Sequence, residues 1–194
     1  MRISPWSLAL LASLLLSQCS EKQGVSPAPD ARQLSLRVMQ EVAPQVVGTW
    51  QLRRVQVVSQ KGNYYQSLVP ITKDTLFTDF ASLTLRRAVH PRVKPAQPWA
   101  PEFEGDLLFR GTSYPVYFQL QANHAKATQQ QGPHAWFLLD TMYAPGERVL
   151  DANEKLLRNL GLLGDNYSLE IIEGSPRMIW RGVNRGVDYI ELQK

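Results

Sequence analysis

The sequence predicts a mainly β protein: an antiparallel barrel or sandwich of about eight strands, with a short N-terminal helix and one further helix near residues 151–161. Short segments of alternating apolar and polar residues follow one another along the chain, separated by turn residues. No repeat with a period of ~20–50 residues is visible, which argues against a solenoid or a propeller. The 194 residues allow one domain with a sizeable core.

Residues 1–19 have the composition of an export signal. Arg2 gives a positively charged start, and Leu8–Leu16 is an apolar run. This run is too short to cross a hydrocarbon layer of ~30 Å as a stable helix. Residues 20–30 are rich in Ser, Pro and charged side chains, and this composition predicts a flexible tether.

Cys19 is the only cysteine of the chain, so it cannot form an internal disulfide. The segment Leu16-Ser17-Gln18-Cys19 resembles the bacterial lipobox, although Gln18 stands where a small residue is usual. The resemblance implies a lipid on Cys19, removal of the signal peptide before it and stable attachment to a membrane. We therefore expect a lipoprotein of the bacterial cell envelope, anchored in the outer membrane, on a side that the sequence does not specify.

Residues 31–194 are predicted to form the folded domain. Residues 31–43 favour a short helix ended by Pro44, because apolar residues recur there at helical spacing, although part of the segment also alternates as a strand does. Asp151 followed by Glu154 is typical of a helix N-terminus, and Gly161 or Gly164 can end that helix.

Eight segments are predicted as strands. The first changes phase near Arg53-Arg54, which predicts a β-bulge. The proline-rich stretch 91–101 cannot be a central strand, because proline lacks the backbone donor, and it is predicted as an extended loop. The predicted strands cover residues 46–58, 82–89, 103–109, 114–122, 135–142, 167–172, 178–183 and 187–192.

Gly48-Thr49-Trp50 opens the first predicted strand, just after the helical lead-in. This placement resembles the Gly-x-Trp motif of lipocalins and of bacterial lipocalin-like lipoproteins, which are calycin-type β-barrels. The resemblance implies a barrel over residues 44–194 that Trp50 closes at one end, with an arginine of the last strands over the indole ring. Arg177 and Arg181 are the two candidates for that arginine.

The resemblance also implies an apolar or amphiphilic small molecule as ligand. Tyr65, Phe118, Trp136 and Tyr143 are candidates for the lining of a cavity. The same alternation is what a solid core requires, since a barrel of about eight strands either fills with side chains or holds one small ligand. Two functions therefore stay open: a ligand-binding barrel in the cell envelope, and a non-catalytic structural or protein-interaction lipoprotein whose barrel is filled.

The charge pattern argues against nucleic acid as a partner. The formal net charge is +4, and removal of Arg2 with the signal peptide lowers it by one to +3. Basic residues are scattered, with Arg53-Arg54 and Arg86-Arg87 as the only adjacent pairs. Nucleic-acid-binding domains usually concentrate such residues in a stripe.

No motif of the sequence indicates catalysis. His90, His124 and His134 lack the spacing of metal ligands and are expected to be exposed loop side chains. Glu102 and Glu104 could form a carboxylate pair, but matched surface charge is the better interpretation. A Gly-x-Ser-x-Gly elbow and a phosphate-binding glycine-rich loop are both absent. We therefore expect no enzyme activity, no cofactor and no metal.

Overall fold

A computed structural model of the chain describes residues 30–59, 72–94, 96–143 and 149–194, and these contain nine strands and three helices. The strands are β1 Gly48–Val57, β2 Thr75–Arg87, β3 Glu102–Phe109, β4 Thr112–Gln119, β5 Gln121–Ala122, β6 Ala135–Thr141, β7 Asp165–Ile172, β8 Arg177–Gly182 and β9 Val187–Gln193. The helices are α1 Ala31–Val46, α2 His124–Gln129 and α3 Ala152–Leu160.

The strands form a closed antiparallel barrel. Their order is β4-β3-β2-β1-β9-β8-β7-β6-β5, and an additional pairing of β4 with β6 closes the sheet. The two-residue β5 continues β4 along β6, so the barrel wall consists of eight strands. The predicted mainly β architecture, with one helix at the N-terminus and another near residues 151–161, is confirmed.

β1 bends where the sequence predicts it. The register of β1 against both neighbours shifts between Leu52 and Arg54. On the facing strand Asp79 adopts a φ of 45°, and its carboxylate lies 2.5 Å from the guanidinium of Arg53. The alternation of inward and outward side chains therefore reverses within β2. For this reason the sequence pattern predicted residues 82–89 as a strand but not the first half of β2.

The helices differ from prediction at two places. α1 does not end at Pro44 but continues to Val46, because Val42, Ala43 and Val46 are all buried in the core and favour another half turn. α2 was not predicted, since its six residues carry no buried side chain and therefore no apolar stripe. No described helix has both the length and the apolar content that a membrane span requires.

α3 begins and ends as the sequence predicts. The side chain of Asp151 accepts a hydrogen bond of 2.8 Å from the backbone N–H of Glu154. Gly161 adopts a φ of 84° after the last turn, the left-handed conformation that favours glycine. Leu157 and Leu160 of this helix are buried in the barrel core.

Aromatic and aliphatic side chains cluster inside the barrel. Phe137 is central: its ring centroid lies 4.7 Å from that of Phe118, 4.8 Å from that of Trp180 and 5.6 Å from that of Tyr167. These rings and the surrounding aliphatic side chains are buried in one cluster. The same cluster includes residues of α1 at the end where β1 begins, and residues of α3 and the turn after it at the opposite end. The core therefore extends from one covered end of the barrel to the other.

Trp50 joins α1 to the sheet. Its side chain is buried, and its Nε1 donates a hydrogen bond of 2.8 Å to the carbonyl of Val46. The ammonium nitrogen of Lys194 lies 4.6 Å from the centroid of the indole ring and donates to the carbonyl of Gln45 at 3.1 Å. One lysine therefore caps the C-terminal end of α1 and covers the tryptophan.

The prediction that Arg177 or Arg181 covers the Trp50 ring was wrong. Both arginines lie on β8, which β9 separates from β1, and both are exposed. Arg177 contacts Glu191 at 3.4 Å instead. The missing side chain of Gly48 leaves room for Lys194 beside Trp50. The φ of Gly48 is 132°, and a Cβ at this position would lie only 3.1 Å from Cε of Lys194.

Replacement of Trp50 by alanine should lower the free energy of unfolding by about 3–5 kcal/mol, because a large buried side chain is lost. Lys194→Met keeps the aliphatic chain but removes the cation, and it should cost about 0.5–1 kcal/mol. Urea denaturation of the single and double variants measures both the costs and the coupling between the two side chains. Arg181→Met is the matched control and should stay within about 0.5 kcal/mol of the wild type. A Trp50→Ala variant as stable as the wild type would contradict the assigned role.

Candidate functional site

The four aromatic residues predicted to line a cavity do not meet inside the barrel. Tyr65 lies outside the described residues. Phe118 is buried in the aromatic core, whereas Trp136 is 42% exposed on the outer face of β6 and Tyr143 is 37% exposed just after that strand. Trp136 and Phe118 nevertheless border the same feature, a groove in the barrel wall.

This wall groove has a volume of about 350 Å³ and lies where β4 gives way to β5 opposite β6. Phe118 and Phe137 are the buried members of its lining, so the groove reaches from the outer surface down to the core. Its other members are Arg92, Tyr117, Gln119, Gln121, Trp136, Leu138, Asp140 and Asn166.

The groove exists because two neighbouring strands separate locally. Tyr117 of β4 pairs with Asp140 of β6, and Gln121 of β5 pairs with Trp136 of β6. Both pairs belong to the same antiparallel register, so no residue is inserted between them on either side. Residues 118–120 and 137–139 between these pairs are all described, yet they form no ladder pairs with each other. The wall therefore opens over three residue positions and closes again.

Backbone polar groups face this opening. In an antiparallel ladder, alternate residues direct both their N–H and their C=O to the same neighbouring strand. The bond of 2.7 Å from the N–H of Met142 to the carbonyl of Pro115 fixes this alternation for β4 and β6. By the same alternation, Gln119 and Leu138 direct their backbone groups into the groove, where they do not form a reciprocal pair.

Glu102 holds one side of the groove. Its carboxylate accepts hydrogen bonds from the backbone N–H groups of Arg92 at 2.6 Å and Val93 at 2.9 Å, and from the hydroxyl of Tyr117. The guanidinium carbon of Arg92 lies 3.9 Å from the centroid of the Tyr117 ring. These contacts fasten the loop before β3 onto the outer face of β4.

The charge state of this side is fixed at neutral pH. Burial alone raises the pKa of the Glu102 carboxyl, but the hydrogen bonds from Tyr117, Val93 and Arg92, together with the charge of Arg92, lower the pKa below its usual range. Burial and the bond to Glu102 raise the pKa of Tyr117 well above its usual range. At neutral pH the pair is therefore a carboxylate that accepts a hydrogen bond from a phenol. The prediction of matched surface charge was wrong for Glu102, which is only 7% exposed.

Asp140 holds the opposite side. Its carboxylate accepts from the backbone N–H of Thr141 at 2.7 Å and lies 3.1 Å from the guanidinium of Arg158 on α3. Gln119 is also held in place, since its amide donates to the carbonyl of Ala100 at 3.0 Å. Trp136 stands at the other end of the opening, paired with Gln121, and its side chain is partly exposed.

The histidines lie apart from the groove. His134 is only 6% exposed, and its Nδ1 accepts a hydrogen bond of 3.1 Å from the N–H of Ile171, so the prediction that it is an exposed loop residue was wrong. Burial lowers the pKa of His134. His124 contacts the hydroxyl of Ser35 at 2.8 Å, and His90 is exposed. Within the described residues, no group of three or more His, Cys, Asp and Glu side chains could hold a metal ion.

Sequence reasoning missed most of the groove. Its polar members lie on β4, β5, β6, β7 and the loop before β3, and only the register of these strands brings them together. The unbroken alternation of residues 114–122 gives no sign that β4 and β6 separate. Only the aromatic character of Trp136 and Phe118 could have indicated the position.

Comparisons of the chain with protein-family models, with curated proteins and with solved structures find no match. What the groove can bind therefore follows from its own chemistry. An exposed indole, side-chain amides and backbone groups can hold a ligand by stacking and hydrogen bonds.

Glu102→Gln should cost about 1–3 kcal/mol of stability at neutral pH, because three donors lose a charged acceptor. The pKa of Glu102 is lower in the folded state, so its contribution is present above the unfolded value of about 4.3 and is lost as the pH falls through the folded value. Urea denaturation from neutral to acidic pH should therefore show a shallower acid loss in the variant than in the wild type. Glu173→Gln, at an exposed turn, is the control. Identical acid slopes for the wild type and Glu102→Gln would contradict this assignment.

Proposed function

We propose that this chain is a membrane-anchored, non-catalytic lipoprotein of the cell envelope, in which a filled barrel serves as a rigid scaffold for recognition on its outer wall. The observation that carries the proposal is the aromatic cluster inside the barrel, where Phe118, Phe137 and Trp180 are buried against one another. Of the two functions that the sequence leaves open, a filled interior favours the interaction lipoprotein.

The proposed ligand is a small molecule bound in the wall groove, and not the apolar or amphiphilic molecule inside the barrel that the sequence led us to expect. Trp136 and Leu138 are 42% and 48% exposed there and give the groove an apolar surface that a ligand can reach. A volume of about 350 Å³ is sufficient for a small molecule. The absence of catalysis is proposed because the ionisable groups beside the groove are engaged in fixed contacts that leave no base or nucleophile poised.

Anchoring is proposed from the sequence alone. Cys19 and the tether of residues 20–30 lie outside the described residues, apart from Asp30. Support comes from the lone cysteine and from the lipobox-like Leu16-Ser17-Gln18-Cys19. Several acyl chains on one cysteine give stable attachment, at about 0.8 kcal/mol for each buried methylene.

The filled interior predicts that the natively purified, full-length protein carries no apolar molecule inside its barrel. Mass spectrometry of organic extracts of the detergent-solubilised protein measures this directly. A stoichiometric apolar molecule that the wild type and Trp136→Ala both retain would place a ligand inside the barrel and overturn the proposal.

Phe103→Ala removes a buried ring stacked 5.2 Å from that of Phe118. It should lower the free energy of unfolding by about 3–5 kcal/mol.

Cys19→Ala should abolish membrane attachment, because the only candidate for lipid transfer is removed. Fractionation of cells that express this variant should show an unprocessed precursor that no longer partitions with detergent-extracted membrane proteins. Ser20→Ala, one residue further along, is the matched control and should remain in the membrane fraction. A Cys19→Ala protein of mature size that stays membrane-bound would show that Cys19 is not the anchor.

A further inference from the structure

We propose that the wall groove binds a neutral saccharide of one or two pyranose rings. The inference rests on the proposed function, since it names the ligand class of the outer wall. It follows from a juxtaposition: the separation of β4 from β6 places an exposed indole beside planar amides and backbone groups that do not pair across the two strands. A volume of about 350 Å³ is near the lower end of the ~300–1,000 Å³ of ligand pockets, so the ligand is small.

Trp136 supplies the apolar surface. It stands on β6 between Ala135 and Phe137, whose side chains are buried, so the backbone beneath it is fixed by the core. Leu138 continues the apolar surface at the next outward position of the same strand. One face of a pyranose ring carries only C–H groups, and such a face packs on an indole while the hydroxyls stay at the rim.

The rim of the groove matches hydroxyl groups. A sugar hydroxyl both donates and accepts, and the side-chain amides of Gln119, Gln121 and Asn166 offer donors and acceptors together. The backbone N–H and C=O groups of Gln119 and Leu138 add a second set of both kinds, held by the strands. A purely apolar ligand would leave these groups unsatisfied, which is costly once water is displaced.

Charge favours a neutral ligand over an anionic one. Among the described residues that line the groove, Arg92 is the one cation and Asp140 the one anion, so their formal charges cancel. Arg92 stacks on Tyr117, and Asp140 is bridged to Arg158 at 3.1 Å. A phosphate or a fatty-acid carboxylate would meet Asp140 with no cation besides Arg92 in the described part of the lining.

The test uses the full-length protein in a non-glycosidic detergent, because a maltoside head group would compete. Cellobiose, maltose and N,N′-diacetylchitobiose are titrated at millimolar concentrations, and binding is followed by saturation-transfer NMR and calorimetry. Trp136→Ala should weaken binding by about tenfold or more, because it removes the central aromatic contact. Trp136→Phe should retain part of the affinity, and Gln121→Ala should weaken it by a smaller factor. Leu108→Ala, which truncates a 47% exposed side chain of β3 outside the groove, should bind as the wild type does.

Binding of at least one of these disaccharides, lost in Trp136→Ala and kept in Leu108→Ala, supports the proposal. No binding by any of the three, equal binding by Trp136→Ala, or preference for glucose 6-phosphate or dodecanoate would overturn it. The proposed function fails by different results: an apolar molecule inside the barrel, or membrane attachment without Cys19. A negative saccharide titration with both of those results absent therefore rejects only the ligand class.

Discussion

Aromatic packing around Phe137 is the constraint on which the rest of the structure depends. Its ring contacts those of Phe118, Tyr167 and Trp180, which come from three other strands of the barrel. The four rings come from consecutive strands around the barrel, β4, β6, β7 and β8, and they are buried together in its core. Burial of these rings in the interior favours recognition on the outer surface, as proposed above.

Much of the fold could be predicted because its signals are local. Alternation of apolar residues indicates the strands, Asp151 and Gly161 mark the ends of α3, and the change of phase at Arg53-Arg54 marks the bend of β1. Each of these depends on the conformation of a few neighbouring residues. The Gly48-Thr49-Trp50 segment likewise indicated where the buried tryptophan would lie.

The candidate site could not be predicted in the same way, because it depends on which strands become neighbours. Lys194 covers Trp50 since β9, and not β8, pairs with β1. The wall groove arises from a local loss of pairing between β4 and β6, and the alternation in each strand continues through it. The alternation of apolar and polar residues along the strands is also the same whether the interior of a barrel is packed or empty. The choice between them is made by the sizes of side chains that meet from opposite walls.

The pairing of β1 with β9 also sets how the molecule folds. These strands lie at the two ends of the barrel sequence, and Gln51 pairs with Gln193. Contacts between residues so far apart in sequence cost conformational entropy, because a long loop must close before they form. Folding is slow in proteins that have many such contacts. Until β9 pairs with β1, one edge of β1 is open to intermolecular strand addition. Refolding yield should consequently depend on protein concentration more than final stability does.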